Sequence, residues 1–292
     1  GAATFNNKVV ATELDISGDV DIDGTLETDA ITLGGSAFIK LAGTNFTGSL
    51  LLGHATTGTL DAATYNTGVG VGALDALTTG DTNVALGYNS LTTNTTGVHN
   101  TAVGSNALKL NLDGHSNAAV GKDSLIANTE GLYNSAIGLD SLKANTTGDS
   151  NTAVGYQALL TNISSNSNTA VGFRALKLAT GASNIGLGRD SGDNITSGDG
   201  NVIIGSINAG SATGDKQLII ADGVDGSVKW IDGDSSGNLT FGGDITVGDD
   251  LNLTTDSTVI NFGADSDTTL THTDGTGLTL NSTNKICFND TS

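Results

Sequence analysis

Proline is absent from all 292 residues, where average usage of about 5% would supply roughly fifteen. No backbone ladder in this chain is interrupted for want of an N–H. Aromatic residues make up only 4% of the chain, which excludes a large conventional core and requires small residues to pack in regular columns. There is one cysteine, Cys287, so an intrachain disulfide framework is excluded; a small apolar residue in a strand is the expected role. Methionine is missing altogether, and residue 1 reads as an internal position of a longer polypeptide. Positive charge is scarce, with 11 Lys and Arg against 31 Asp and Glu, a net of −20. That balance speaks against a nucleic-acid backbone or an anionic membrane surface as partner. No apolar run approaches the roughly twenty residues of a membrane helix, and no basic signal segment opens the chain. The four histidines, His54, His99, His115 and His272, are scattered without metal or triad spacing and are expected at the surface.

What the chain has instead is a period. Asn66, Asn83, Asn100, Asn117, Asn134, Asn151 and Asn168 are spaced by seventeen residues, and Asn184 and Asn201 continue the series after one deletion. Such a period means stacked coils, an all-β parallel β-roll or β-solenoid, rather than a globular enzyme. Each Asn opens a nine-residue phrase, as in NTAVGSNAL from Asn100 to Leu108 and NTAVGYQAL from Asn151 to Leu159. The remainder of each period is polar turn, often Asn-Thr-Thr-Gly.

Counting the Asn as column one, each column can be read as an environment. Column one predicts an amide ladder, Asn100 bonding to its equivalents one coil away and Asn151 likewise. Column three is mostly alanine, with Ala102 and Ala153; column four is branched and apolar, with Val103 and Val154, and reads as a buried ladder. Column five is glycine in all nine coils, Gly104 and Gly155 among them, which requires either positive φ or no room for a Cβ. Columns eight and nine, ending in Leu108 and Leu159, extend the core around a corner, where a second short strand is expected. Neighbouring strand residues point to opposite faces, so columns three and four cannot both face the inside of one coil. One face must be covered from outside, most simply by an identical chain. Column six has no common chemistry and is expected to face solvent. Side chains open to a ligand are Tyr88, Tyr156 and Phe173 in that column, with Tyr133 on a turn and Trp230 further on.

At Thr101, Ala102, Val103, Gly104 and Ala107, and at Val84, Ala85, Leu86, Gly87 and Ser90, the chain resembles the head repeat of trimeric autotransporter adhesins, the YadA-like left-handed parallel β-roll. The resemblance covers residues 66 to 206. It implies a homotrimer of rolls packed about a common axis and displayed away from a surface to touch cells or matrix. Similar repeats occur in tail fibres of bacterial viruses.

The flanks alternate apolar and polar residues in short runs separated by glycine, which reads as short strands and resembles tail-fibre shaft segments. The expected organisation is a β-rich connector over 1–62, a roll of about nine coils over 63–206, a transition over 207–236 and a β-structured shaft over 237–292. Trp230 with Lys229 is expected to cover the open end of the roll, carbohydrate stacking being the alternative. Asp19, Asp21, Asp23 and Gly24 begin a calcium-loop pattern, but Ala30 stands where a bidentate Glu is required. Calcium or another ion on an oligomer axis, there or at Asp265 and Asp267, is the only cofactor the sequence leaves open. No acidic pair or phosphate loop suggests an enzyme. The expected function is that of an extracellular structural protein, a homotrimeric tail fibre that spaces and presents host-receptor contacts, glycan or protein, and joins neighbouring fibre or baseplate proteins. A bacterial trimeric adhesin or a self-assembling matrix filament is the alternative.

Overall fold

The structure, a computed structural model, describes residues 31–33, 36–41, 50–52 and 62–246. The chain divides into two units, Gly1–Asp244 and Ile245–Ser292, and the second lies almost wholly outside the described residues. So do the Asp19–Gly24 pattern, His54, Asp265, Asp267, His272 and Cys287.

Among the described residues there are fifteen strands and no helix, joined in sequence order into one sheet. Nine strands of three residues each come from columns two to four. They are β4 (Thr67–Val69), β5 (Val84–Leu86), β6 (Thr101–Val103), β7 (Ala118–Val120), β8 (Ser135–Ile137), β9 (Thr152–Val154), β10 (Thr169–Val171), β11 (Ile185–Leu187) and β12 (Val202–Ile204). All pair in parallel, column on column, as in Thr101↔Ala118, Ala102↔Ala119 and Val103↔Val120. The fold is a parallel β-solenoid with coils of about seventeen residues. The parallel ladder extends one step beyond the Asn series at each end, to β3 (Leu50–Leu52) and β13 (Leu218–Ala221). It then reverses. β1 (Ile31–Leu33) and β2 (Ser36–Leu41) form an antiparallel meander onto β3, and β14 (Lys229–Gly233) and β15 (Leu239–Phe241) form another onto β13.

The coil is held on every side by main-chain bonds to its neighbours. Thr101 N–H donates to Asn117 O at 2.8 Å, Gly104 N–H to Leu86 O at 2.8 Å, Leu108 N–H to Ser124 O at 3.0 Å and Leu110 N–H to Ile126 O at 3.1 Å. Column five uses glycine for both anticipated reasons. Gly104 has φ +134°, and a Cβ on it would lie 2.6 Å from Gly121 O in the next coil. Columns eight and nine are buried as expected, but no second strand forms there. The segment is a turn, and its leucines adopt the left-handed conformation, with φ 49° at Leu108 and 51° at Leu159. A left-handed residue every coil bends the chain too tightly for extended pairing, while the leucine side chain still turns inward, fully buried. The cost of that conformation, roughly 1–2 kcal/mol per residue, is offset by burying a leucine, worth about 1.5–3 kcal/mol.

The inside of the coil is narrow: alanine in column three, Ala or Ser in column eight, leucine in column nine, and Asn in columns one and twelve. Buried serines are satisfied by carbonyls, Ser124 Oγ donating to Gly121 O in its own coil at 2.9 Å and Ser191 Oγ to Ile203 O in the next at 2.8 Å. Volume is conserved where the pattern changes. Gly186 and Gly192 stand where Ala and Leu are usual; Leu176 fills the space beside Gly186, and Ile195 and Ile203 the space beside Gly192.

The column-one ladder is as expected and denser. Asn134 Oδ1 accepts both the backbone N–H and the side-chain amide of Asn151, at 2.9 and 3.1 Å, while Asn134 Nδ2 donates to Gly148 O at 2.7 Å. The ladder runs past the last Asn, because Gln217 donates its backbone and side-chain N–H groups to Asn201 Oδ1 at 2.9 and 3.0 Å. A second amide ladder in column twelve, not anticipated from sequence, joins Asn94, Asn111, Asn128, Asn145 and Asn162 through 2.7–3.1 Å bonds. It ends where Ala179 replaces Asn, leaving the buried Oδ1 of Asn162 without a protein donor.

Candidate functional site

Strand alternation decides which columns are available. In every coil strand the middle residue is buried and its neighbours are not, so column three faces inward. Column four, expected as a buried ladder, points outward within a single chain. Leu86 is 48% and Ile137 46% exposed, with Val120 and Val171 close behind; Val69, Val103, Val154, Leu187 and Ile204 are half-buried. The correction is physical: a coil this narrow admits alanine between the strand and the column-nine leucine, and has no room for a second branched residue. Column two shares the outer face but is mixed, with Val84, Ala118, Ile185 and Val202 among Thr67, Thr101, Ser135, Thr152 and Thr169. Column four alone therefore forms an apolar strip crossing all nine coils.

The side chains singled out as surface contacts fall on separate lines. Tyr88, Tyr156 and Phe173 stand exposed in column six, just beyond the C-terminal ends of the strands. Tyr156 and Phe173 stack, with ring centroids 5.1 Å apart and planes at 23°, and the Arg174 guanidinium sits 5.8 Å from the Phe173 centroid. Tyr133 is exposed on the opposite flank, in column seventeen, and Trp230 is 55% exposed on β14. The end of the parallel ladder is covered by β14, the strand to which Lys229 and Trp230 belong, and the indole is 55% exposed. His99 is exposed, but His115 is half-buried and its Nδ1 accepts the Val98 N–H at 3.2 Å.

Charged groups are engaged in structure. Arg174 bridges Asp190 at 3.2 Å and Asp193 at 2.9 Å, lining a cleft of about 410 Å³ that also reaches Asp225 and Asn208. Lys143 is raised above the usual lysine range by its 2.8 Å bond to Asp140. Asp222 closes the turn between β13 and β14. Its carboxylate accepts N–H groups from Val228, Asp225, Val224 and Gly226, which hold its pKa down to about 2. Among the described residues no three His, Cys, Asp or Glu side chains come together as a metal set, and no helix is long and apolar enough to cross a membrane. The cleft sets one guanidinium against the three carboxylates of Asp190, Asp193 and Asp225, with the Ser206 hydroxyl also in its lining. No family model, curated protein or solved structure matches the chain.

Proposed function

We propose that this chain is a structural fibre protein, a homotrimeric tail fibre or similar virion appendage, working outside the cell to space and present host-receptor contacts. The observation that carries this reading is the apolar column four on the outer face of the sheet, repeated through nine coils and left uncovered by the described residues. Burying the remaining exposure of one column-four residue contributes roughly 1 kcal/mol, so a full column gives several kcal/mol per chain toward association. Multiplicity then strengthens any weak receptor contact, since three copies of each act together.

The antiparallel meanders favour a closed oligomer over a polymerising matrix filament. The parallel ladder stops against β2 on one side and β14 on the other, so a second roll has no coil edge on which to continue the stack. The described flanks are themselves β-structured, which supports a fibre over an adhesin carried on a helical stalk. The test is absolute mass by light scattering on the wild-type chain and on an Ile137→Glu, Leu86→Glu variant. A wild-type mass near three times 29.1 kDa, falling to one chain in the variant with unchanged circular dichroism, is expected. A monomeric wild type overturns the reading.

A further inference from the structure

We propose that the cleft at the C-terminal end of the roll is a saccharide-binding site, suited to an uncharged oligosaccharide. The inference deepens the reading above, that the chain presents receptor contacts, by placing one such contact and giving its chemistry.

The repeat breaks where the cleft lies. Column eight is a buried Ala or Ser in the first eight coils, but in the ninth it is Asn208, which is exposed. Column nine, leucine in the first seven coils, is Gly192 in the eighth. The turn between β13 and β14 then folds back over columns six and seven of the last two coils. Ser206 N–H donates to Asp222 O at 3.0 Å, and the Arg189 guanidinium donates to Val224 O at 3.3 Å. Gly226 permits that seating, since a Cβ there would lie 2.5 Å from Ser206 O and 2.9 Å from the Ile207 Cβ. The turn thereby brings Asp225 into one lining with Arg174, Asp190 and Asp193, around a cleft of about 410 Å³. That volume falls within the roughly 300–1,000 Å³ of small-ligand pockets.

The charged side of the cleft is preorganised, and several of its groups are free. Arg174 is held by Asp193 at 2.9 Å and Asp190 at 3.2 Å, with its guanidinium 5.8 Å from the Phe173 ring centroid. One carboxylate oxygen of Asp193 is used in this way, and one of Asp225 accepts the Ser227 N–H at 3.0 Å. The second oxygen of each, the Ser206 hydroxyl and the Asn208 side-chain amide take no protein partner among the described residues.

Carboxylate oxygens only accept, whereas an amide and a hydroxyl both donate and accept. The vicinal hydroxyls of a sugar meet such a mixed set without leaving a group unpaired, each donating to a carboxylate while accepting from the amide or the guanidinium. Ile207 in the lining, and Phe173 beyond Arg174 at 46% exposure, supply apolar surface for the C–H face of the ring. One guanidinium among three carboxylates leaves a net of −2, which turns away uronic and sialic acids. A protein surface is the poorer fit, because its docking takes about 800 Å² per partner, whereas the free groups here converge within one concavity.

The experiment is an array of neutral gluco-, galacto- and manno-oligosaccharides printed beside uronate and sialylated ones, probed with the wild-type chain, followed by calorimetric titration of the strongest neutral binder. Binding to neutral spots over acidic ones is expected. Asp225→Asn, which keeps an acceptor for the Ser227 N–H, should weaken it roughly tenfold, the scale of a lost hydrogen bond to a charged group, and Asn208→Ala about threefold to tenfold. Trp230→Ala, which removes the exposed indole on β14, should leave the affinity unchanged. A preference for acidic sugars, a loss confined to Trp230→Ala, or no binding by a wild type of trimeric mass overturns the site and leaves the fibre reading standing. Binding of neutral sugars by a monomeric wild type overturns the fibre and leaves the site.

Discussion

Replacing Gly104 by alanine puts a methyl group where the coil has neither the backbone conformation nor the space for it. At φ +134° an L-residue is strained by about 1–3 kcal/mol. The new Cβ would lie 2.6 Å from Gly121 O, 2.7 Å from Gly121 C and 3.2 Å from Lys122 N. Those atoms cannot simply recede. Gly121 N–H is bonded to Val103 O at 2.8 Å, and Gly121 O accepts the Ser124 hydroxyl at 2.9 Å. Overpacking of this kind adds roughly 1–3 kcal/mol, so the variant should lose about 2–6 kcal/mol. In a stack stabilised by nearest neighbours the loss falls at the junction of the third and fourth coils. Urea unfolding should report the loss, and hydrogen exchange should place it at the amides of residues 101–104 and 118–121. The adjacent Ser105→Ala, in column six, should stay within about 0.5 kcal/mol of wild type. If Gly104→Ala also stays within that margin, the column-five glycines are not required by conformation and close approach, and the account of the corner is wrong.

Asn134→Leu should cost about 2–4 kcal/mol, because the buried backbone N–H of Asn151 loses its acceptor, while the Asn151 side-chain amide and the Gly148 carbonyl each lose one of two bonds, keeping Ser165 O and Asn145 Nδ2, an orphaned buried group costing roughly 1–3 kcal/mol; equilibrium unfolding measures it. Leu125→Ala should cost about 2–5 kcal/mol in the same assay through the cavity it leaves in the fully buried column nine. Asp222 has a folded pKa depressed to about 2 from 3.8, so its contribution to the β13–β14 turn is fully present above about pH 4 and is lost as pH falls through about 2. Protection of the Val224 to Val228 amides, taken relative to the intrinsic exchange rate at each pH, should fall through that window, and Asp222→Asn should remove this pH dependence.

The period, the coil length, the glycine corner and the Asn ladder were legible because each depends on one residue type recurring in one column, which sequence displays directly. Column four was legible as apolar but not as outward-facing. A branched residue beside an alanine fits either face, and only the inner width of the coil, set by Leu108 and its equivalents, decides between them. The missing second strand could not be read from Leu108 or Leu159, since leucine rarely takes positive φ. The column-twelve ladder lay hidden inside a phrase, Asn-Thr-Thr-Gly, that reads as turn chemistry wherever it occurs. Its signal was the seventeen-residue spacing of Asn94, Asn111, Asn128, Asn145 and Asn162, identical to that of column one. Gln217 extended the ladder one coil further because an amide one methylene longer can still present the same donors.

The two amide ladders also bear on how an apolar sheet face can be kept open without loss of register. Register is weakly specified in strands only three residues long, and a slip of one residue would turn columns two and four inward and alanine outward. Asn134 Oδ1 prevents this by accepting from both N–H groups of Asn151 at once, a geometry available only when the same column meets itself. A slip would strand that oxygen and its donors in a buried setting at every coil simultaneously. Register is thus fixed from inside the coil by polar groups, independently of anything that covers the outside. That leaves the outer columns free to be selected for contact alone, and it is why Val84, Leu86 and Ile137 can remain apolar on an open face without endangering the fold that presents them.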